Sequence, residues 1–133
     1  MTKIKLVAVD LDDTLLSRDF QITGRVKEAV SAVRTAGVHF TISTGRMHLS
    51  AAKFARELGL DIPLITYQGA LVKNAYSGQV FVYRPLPLVY AREIITRVHQ
   101  LGYHLNGYLE DDRLLVERDT PEGRSYAALV NMK

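Results

Sequence analysis

Cysteine is absent from the 133 residues, which excludes disulfides and thiolate metal sites. Also missing is any apolar run of about 18 residues, the length of a membrane-spanning helix. The chain does not open with the basic-then-apolar pattern of a secretion signal. A cytoplasmic protein with no membrane partner is the expectation. Lys and Arg number 17 against 14 Asp and Glu, for a formal charge of +3. The basic residues are scattered without a run, so the excess suits an anionic substrate and does not indicate nucleic acid. The chain is 47% hydrophobic and 23% charged, a globular composition. Its length is that of an ordinary domain able to bury a core.

Against that background the opening stands out. An apolar run, Lys5 to Val9, delivers Asp10, Leu11, Asp12, Asp13, Thr14, Leu15 and Leu16. Carboxylates crowded at the end of a strand suit a site that binds a metal and handles phosphate; a solvated acidic loop is the competing reading.

The apolar pattern alternates between strands and helices. Lys3 to Val9 reads as a strand buried on both faces. Thr23 is a candidate N-cap for a helix to Ala36, with Val26, Ala29, Val30 and Val33 on one face and Gly37 at its end. Val38 to Ser43 is a second strand, Met47 to Leu58 a second helix stopped by Gly59, and Pro63 to Tyr67 a third strand. This order predicts an α/β fold with a Rossmann-like parallel sheet.

Ligands in such sheets bind beyond the carboxyl ends of the strands. Those ends carry Asp10 to Thr14, then Ser43, Thr44, Gly45 and Arg46, then Thr66, Tyr67, Gln68 and Gly69. Ser43 and Thr44 are open to two readings, capping the following helix or facing a phosphate at its N-terminus. Arg46 is a surface charge or an anion contact.

Asp10-Leu11-Asp12-Asp13-Thr14-Leu15 resembles the first motif of the haloacid dehalogenase superfamily, and Ser43-Thr44-Gly45-Arg46 resembles the second motif of its Cof-type phosphatases. The resemblance extends over nearly the whole chain. It implies a magnesium-dependent phosphatase acting on a small phosphorylated metabolite. Asp10 would be the nucleophile that forms an aspartyl-phosphate, and Asp12 the acid and base for leaving group and water. Mg2+ would be held by the Asp10 carboxylate and the Asp12 carbonyl. Leu11, Thr44, Gly45, Arg46, Gln68 and Gly69 would bind phosphate or substrate. Gln68 stands where the Cof-type pattern has Asn, and Asp13 where the superfamily often has Gly, which makes Asp13 a turn residue.

Residues 1–83 are expected to form the first part of the core and 84–133 the beginning of an α+β cap. Leu71 to Lys73 and Val80 to Tyr83 flank a Ser77-Gly78 turn. Arg84 to Pro87 read as a connection, Leu88 to Leu101 as an amphipathic helix, and Tyr103 to Leu109 with Arg113 to Glu117 as a hairpin. Glu110, Asp111 and Asp112 between them read as its turn rather than a metal site. His48, His99 and His104 share no close spacing and read as surface residues. Tyr83, Tyr90, Tyr103 and Tyr108 are pocket candidates whose ordinary place is a core or sheet face.

The family's lysine and second acidic pair lie on core segments after the cap and have no counterpart here. The sequence thus looks like the N-terminal half of such an enzyme, with exposed sheet edges that favour self-association or a missing C-terminal half. Little turnover is expected from these residues alone. A receiver domain is the rival fold, but its phospho-accepting Asp would fall where this chain has Thr66, Tyr67 and Gln68. A non-catalytic module binding a phospho-ligand or protein is the rival function.

Overall fold

The computed structural model describes residues 3–109 and 112–129. The chain divides into two compact units at Tyr83/Arg84. Among the described residues no helix is long and apolar enough to cross a membrane.

In the first unit, β1 (Leu6–Val9) and β2 (His39–Ile42) pair in parallel, Leu6 opposite His39 and Val9 opposite Ile42. Between them runs α1 (Gly24–Thr35), whose cap is the one anticipated: Thr23 Oγ1 accepts from the Val26 amide at 3.4 Å. Gly37, at φ +76°, ends it, a conformation that suits a residue without Cβ. The next helix is α2 (His48–Glu57), followed by β3 (Pro63–Thr66). β3 meets β2 through a parallel bridge from Ser43 to Ile65 and otherwise belongs to an antiparallel sheet with β4 (Leu71–Asn74) and β5 (Val80–Tyr83). The parallel order β1, β2, β3 therefore holds at the ends that matter, while the outer edge of β3 turns into a hairpin.

Leu11, Ile42, Ala51, Ala55, Leu60 and Leu64 are fully or almost fully buried and join β2, β3 and α2 into one core. The expectation of a doubly buried β1 is corrected. Val7 and Val9 pack on the core, whereas Leu6, on the other face, is 52% exposed. His48 is also corrected: it lies buried at the first turn of α2 instead of on the surface.

The second unit contains α3 (Leu88–Gln100), the antiparallel strands β6 (Asn106–Tyr108) and β7 (Leu114–Val116), and α4 (Pro121–Leu129), a helix the sequence pattern did not announce. Both strands are shorter than expected. Glu110 and Asp111 lie outside the described residues; beside them the Asp112 amide donates to the Leu109 carbonyl, in keeping with a hairpin. His99 is exposed and bonded to Glu117, while His104 is half-buried between Asn106 and Thr120. Tyr83, Tyr90, Tyr103 and Tyr108 are all exposed, not core residues.

Candidate active site

The loop after β1 is a single wide turn. The Leu16 amide donates to the Leu11 carbonyl at 2.9 Å and the Leu15 amide to the Asp10 carbonyl at 3.3 Å. Leu11, Leu15 and Leu16 are buried and anchor it, so the polar residues between them stay on the rim. Asp13 adopts φ +55°, the left-handed geometry in which Asp is among the better-tolerated residues. That conformation makes Asp13 the turn residue. Asp10 Oδ1 accepts from the Leu11 amide at 2.7 Å, which fixes the first carboxylate at the strand end.

The loop after β2 is tied to both neighbouring strands. The Ser43 amide donates to the Val9 carbonyl and the Thr44 amide to the Ile65 carbonyl, each at 2.9 Å. Thr44 is buried, and its Oγ1 accepts from the Arg46 amide at 3.2 Å. This bond forms the turn before α2. The helix itself is capped at Met47 with no side-chain bond, so neither hydroxyl caps it directly.

Arg46 is the centre of the site. Its side chain is 6% exposed, and its guanidinium grips Asp12 with both arms: Nε to Oδ2 at 2.8 Å and Nη2 to Oδ1 at 2.5 Å. Such a fork matches a carboxylate or a phosphate equally well. Nη1 donates to Ser50 Oγ at 3.4 Å, and the Phe54 and Phe20 ring centroids lie 5.5 Å and 5.7 Å from the guanidinium carbon. Lys53 Nζ stands 4.8 Å from the same Phe54 ring. Partial burial and the Arg46 charge push its ammonium below the usual lysine range.

The loop after β3 completes the rim. The Tyr67 amide donates to the Arg46 carbonyl at 3.0 Å, and Tyr67, Gln68 and Gly69 all adopt positive φ. The Gln68 carboxamide lies over Gly45, where a Cβ would stand 2.2 Å from Nε2. What a side chain at 45 would meet is this flexible carboxamide, and its φ sets no bar of its own.

Asp10, Asp12, Thr44, Gly45, Arg46 and Gln68 thus sit on three adjoining loops, with Leu11 buried beneath them as an anchor and Gly69 exposed beyond. No role at the site was anticipated for Ser50, Phe20, Phe54 or Lys53. The four-residue steps from Arg46 to Ser50 to Phe54 were an available signal; nothing local marked Phe20. A shallow groove lined by Arg34, His39, Asp61 and their neighbours lies at the opposite ends of β2 and β3 and holds none of these groups.

The sequence model of the haloacid dehalogenase-like hydrolases matches residues 7–130. The pyridoxal phosphate phosphatase YbhA of Escherichia coli is 30% identical over 87% of this chain and 42% of its own. A haloacid dehalogenase-like hydrolase from Bacteroides thetaiotaomicron superposes with a TM-score of 0.83 at 20% identity, over 98% of this chain and 50% of its own. The subclass IIB sugar phosphatase BT4131 does so with a TM-score of 0.80 at 19% identity, over 97% and 50%. The chain spans about half the length of the curated relatives it matches. A match along nearly its whole length, and a fold shared from end to end, make this chain a member of the haloacid dehalogenase-like hydrolases.

Proposed function

We propose that this chain supplies the nucleophile and the acid/base of a magnesium-dependent phosphatase acting on a small phosphorylated metabolite. The observation that carries the proposal is the convergence of Asp10, the Asp12–Arg46 fork, Thr44 and Gln68 on one rim beyond β1, β2 and β3. A phosphate monoester repels an anionic nucleophile, so its hydrolysis needs an aligned carboxylate and cationic or N–H donors around the transferring group.

In this reading the Asp10 oxygen attacks phosphorus and the ester oxygen leaves, giving an aspartyl-phosphate. Asp12, once one oxygen leaves the Arg46 fork and takes up a proton from solvent, hands that proton to the leaving oxygen and then withdraws one from the water that cleaves the acyl-phosphate. The Thr44 hydroxyl donates to a phosphoryl oxygen. Arg46 holds Asp12 through its fork and adds its positive charge beside the same anion.

The donor set fits a hard cation. Asp10 offers a carboxylate and Asp12 a backbone carbonyl, while the Asp12 carboxylate is taken by Arg46. No trio of His, Cys, Asp or Glu able to hold a metal occurs among the described residues. Two oxygen donors suit Mg2+, which keeps several waters and completes its shell with substrate phosphate. When bound it neutralises charge on the transferring group. With so few protein ligands, binding is weak and turnover by the 133 residues alone is slight.

The relative named for pyridoxal phosphate and the neighbour named for sugar phosphates support a small phosphorylated substrate. Residues 1–83 then correspond to the first part of the core and 84–133 to the beginning of a cap, and the setting is cytoplasmic. The test is acid-quenched trapping with acetyl phosphate and Mg2+. A hydroxylamine-labile phosphoryl group on the Asp10 peptide, absent in Asp10→Asn, is expected. The engagement of both Asp12 oxygens by Arg46 favours the second reading, a non-catalytic binder of phospho-ligands. Magnesium-dependent phosphate binding without phosphoryl transfer under any condition would establish it in place of the first.

A further inference from the structure

Phe20 is oddly placed for an apolar side chain. It is 46% exposed, so core packing does not account for it, yet its backbone holds φ +55°, a conformation that bulky residues seldom adopt. The loop around it is closed by its own hydrogen bonds: the Phe20 amide to the Ser17 carbonyl at 2.9 Å, the Ser17 amide to the Gln21 carbonyl at 2.9 Å, and the Gln21 amide to Ser17 Oγ at 3.2 Å. That closure directs the ring over the Arg46 guanidinium, 5.7 Å from its carbon to the ring centroid.

We propose that Phe20 is a positioning residue: with Phe54 and Ser50 it covers the Arg46 guanidinium, excludes water from the Arg46–Asp12 fork, and so fixes the direction in which Asp12 presents its carboxylate. The elements of this clamp come from separate stretches of chain. Ser50 and Phe54 approach from α2, Asp12 from the loop after β1, and Phe20 from the loop that precedes α1. Arg46 is buried although its partner Asp12 is 40% exposed, so the shielding is on the arginine side. A cation held against an aromatic face is stabilised and loses competing water. The functional weight of the clamp rests on the role proposed for Asp12; its existence does not.

The test uses the Arg46 Nε–H resonance in the intact chain, assigned by its disappearance in Arg46→Lys, with its solvent-exchange rate as the readout. Phe20→Gly removes the ring and relieves the strained φ, Phe20→Leu removes the ring while keeping an apolar side chain there, and Phe20→Tyr keeps the ring. About fivefold faster exchange is expected in the Gly and Leu variants, the equivalent of a cation–π contact of about 1 kcal/mol. The Tyr variant should match the parent, and the amides of Ile42 and Leu64 should be unchanged throughout. Exchange within twofold of the parent in Phe20→Gly and Phe20→Leu overturns the proposal. So does equal acceleration in Phe20→Tyr, or loss of the core amide pattern in both ring-less variants, which would make Phe20 a folding residue. The readout is independent of turnover: a failed phosphatase assignment would show as no Asp10-dependent response to a phosphoryl analogue, with the exchange series unaffected.

Discussion

Replacing Gly45 by alanine separates the stability of the rim from its shape. A Cβ on residue 45 would stand 2.2 Å from Gln68 Nε2 and 2.9 Å from its Cδ, an overlap that no side chain tolerates without moving. The obstacle, however, is the end of a flexible, exposed side chain. Residue 45 has no positive φ to forbid alanine. The Gln68 amide therefore rotates aside by more than 1 Å, at a cost of about 0.5–1.5 kcal/mol, the range for a displaced rotamer. For a chain of this length that is a fall in Tm of about 2–6 °C. Gln68→Ala removes the obstacle beforehand, so Gly45→Ala in that background should cost no more than about 0.3 kcal/mol. The assay is thermal and urea unfolding of the four proteins of the cycle, with the Gln68 side-chain amide signals followed by NMR. A loss above about 3 kcal/mol in Gly45→Ala, or the same loss with and without Gln68, would refute the reasoning, because backbone would then be the obstacle.

The remaining predictions concern charge. Arg46→Met leaves Asp12 without its fork; because Asp12 is only half shielded, urea denaturation should show a loss of about 1–2 kcal/mol, less than the full cost of breaking a buried pair. Arg46→Lys should recover little of it, since an ammonium cannot bridge both oxygens. In the second unit the hydrogen bond from His99 holds the Glu117 carboxyl below the usual carboxylate range; burial opposes it less strongly, and the Arg118 charge adds a smaller lowering. A depressed carboxylate contributes stability above the unfolded-state value and loses it as pH falls through the folded one. The Glu117 side-chain carbon should accordingly titrate at lower pH in the parent than in His99→Gln, and an identical midpoint in both would contradict the assignment. Excess Mg2+ should raise the Tm of the parent by a small, saturable amount that EDTA reverses and Asp10→Asn abolishes; an equal rise in the variant would place the ion elsewhere.

Local chemistry in the sequence announced local structure well. Thr23, Gly37 and the valine stripe of α1 declare that helix through capping and periodicity, and Asp13 takes the left-handed geometry that its place in the turn implied. The rim was legible for a topological reason: parallel strands bring their carboxyl ends together whatever lies between. What escaped was set by distant partners. The Asp12–Arg46 fork joins residues 34 apart, and no spacing rule connects a turn at Phe20 to a guanidinium on another loop. The apolar run of β1 reads as a doubly covered strand, yet coverage depends on neighbours, and Leu6 stays half exposed. Likewise β3 has the composition of a parallel strand but spends its outer edge on β4.

The most direct measurement is a titration of the 133-residue chain with beryllofluoride, a phosphoryl analogue that caps an aspartate, followed through backbone amide shifts in the presence of Mg2+. The account predicts saturable changes at Leu11, Asp12, Thr44 and Gly45 that require Mg2+ and vanish in Asp10→Asn. Shifts that persist in Asp10→Asn, or none at these residues at any concentration, would contradict the claim that this rim holds a phosphoryl group on Asp10.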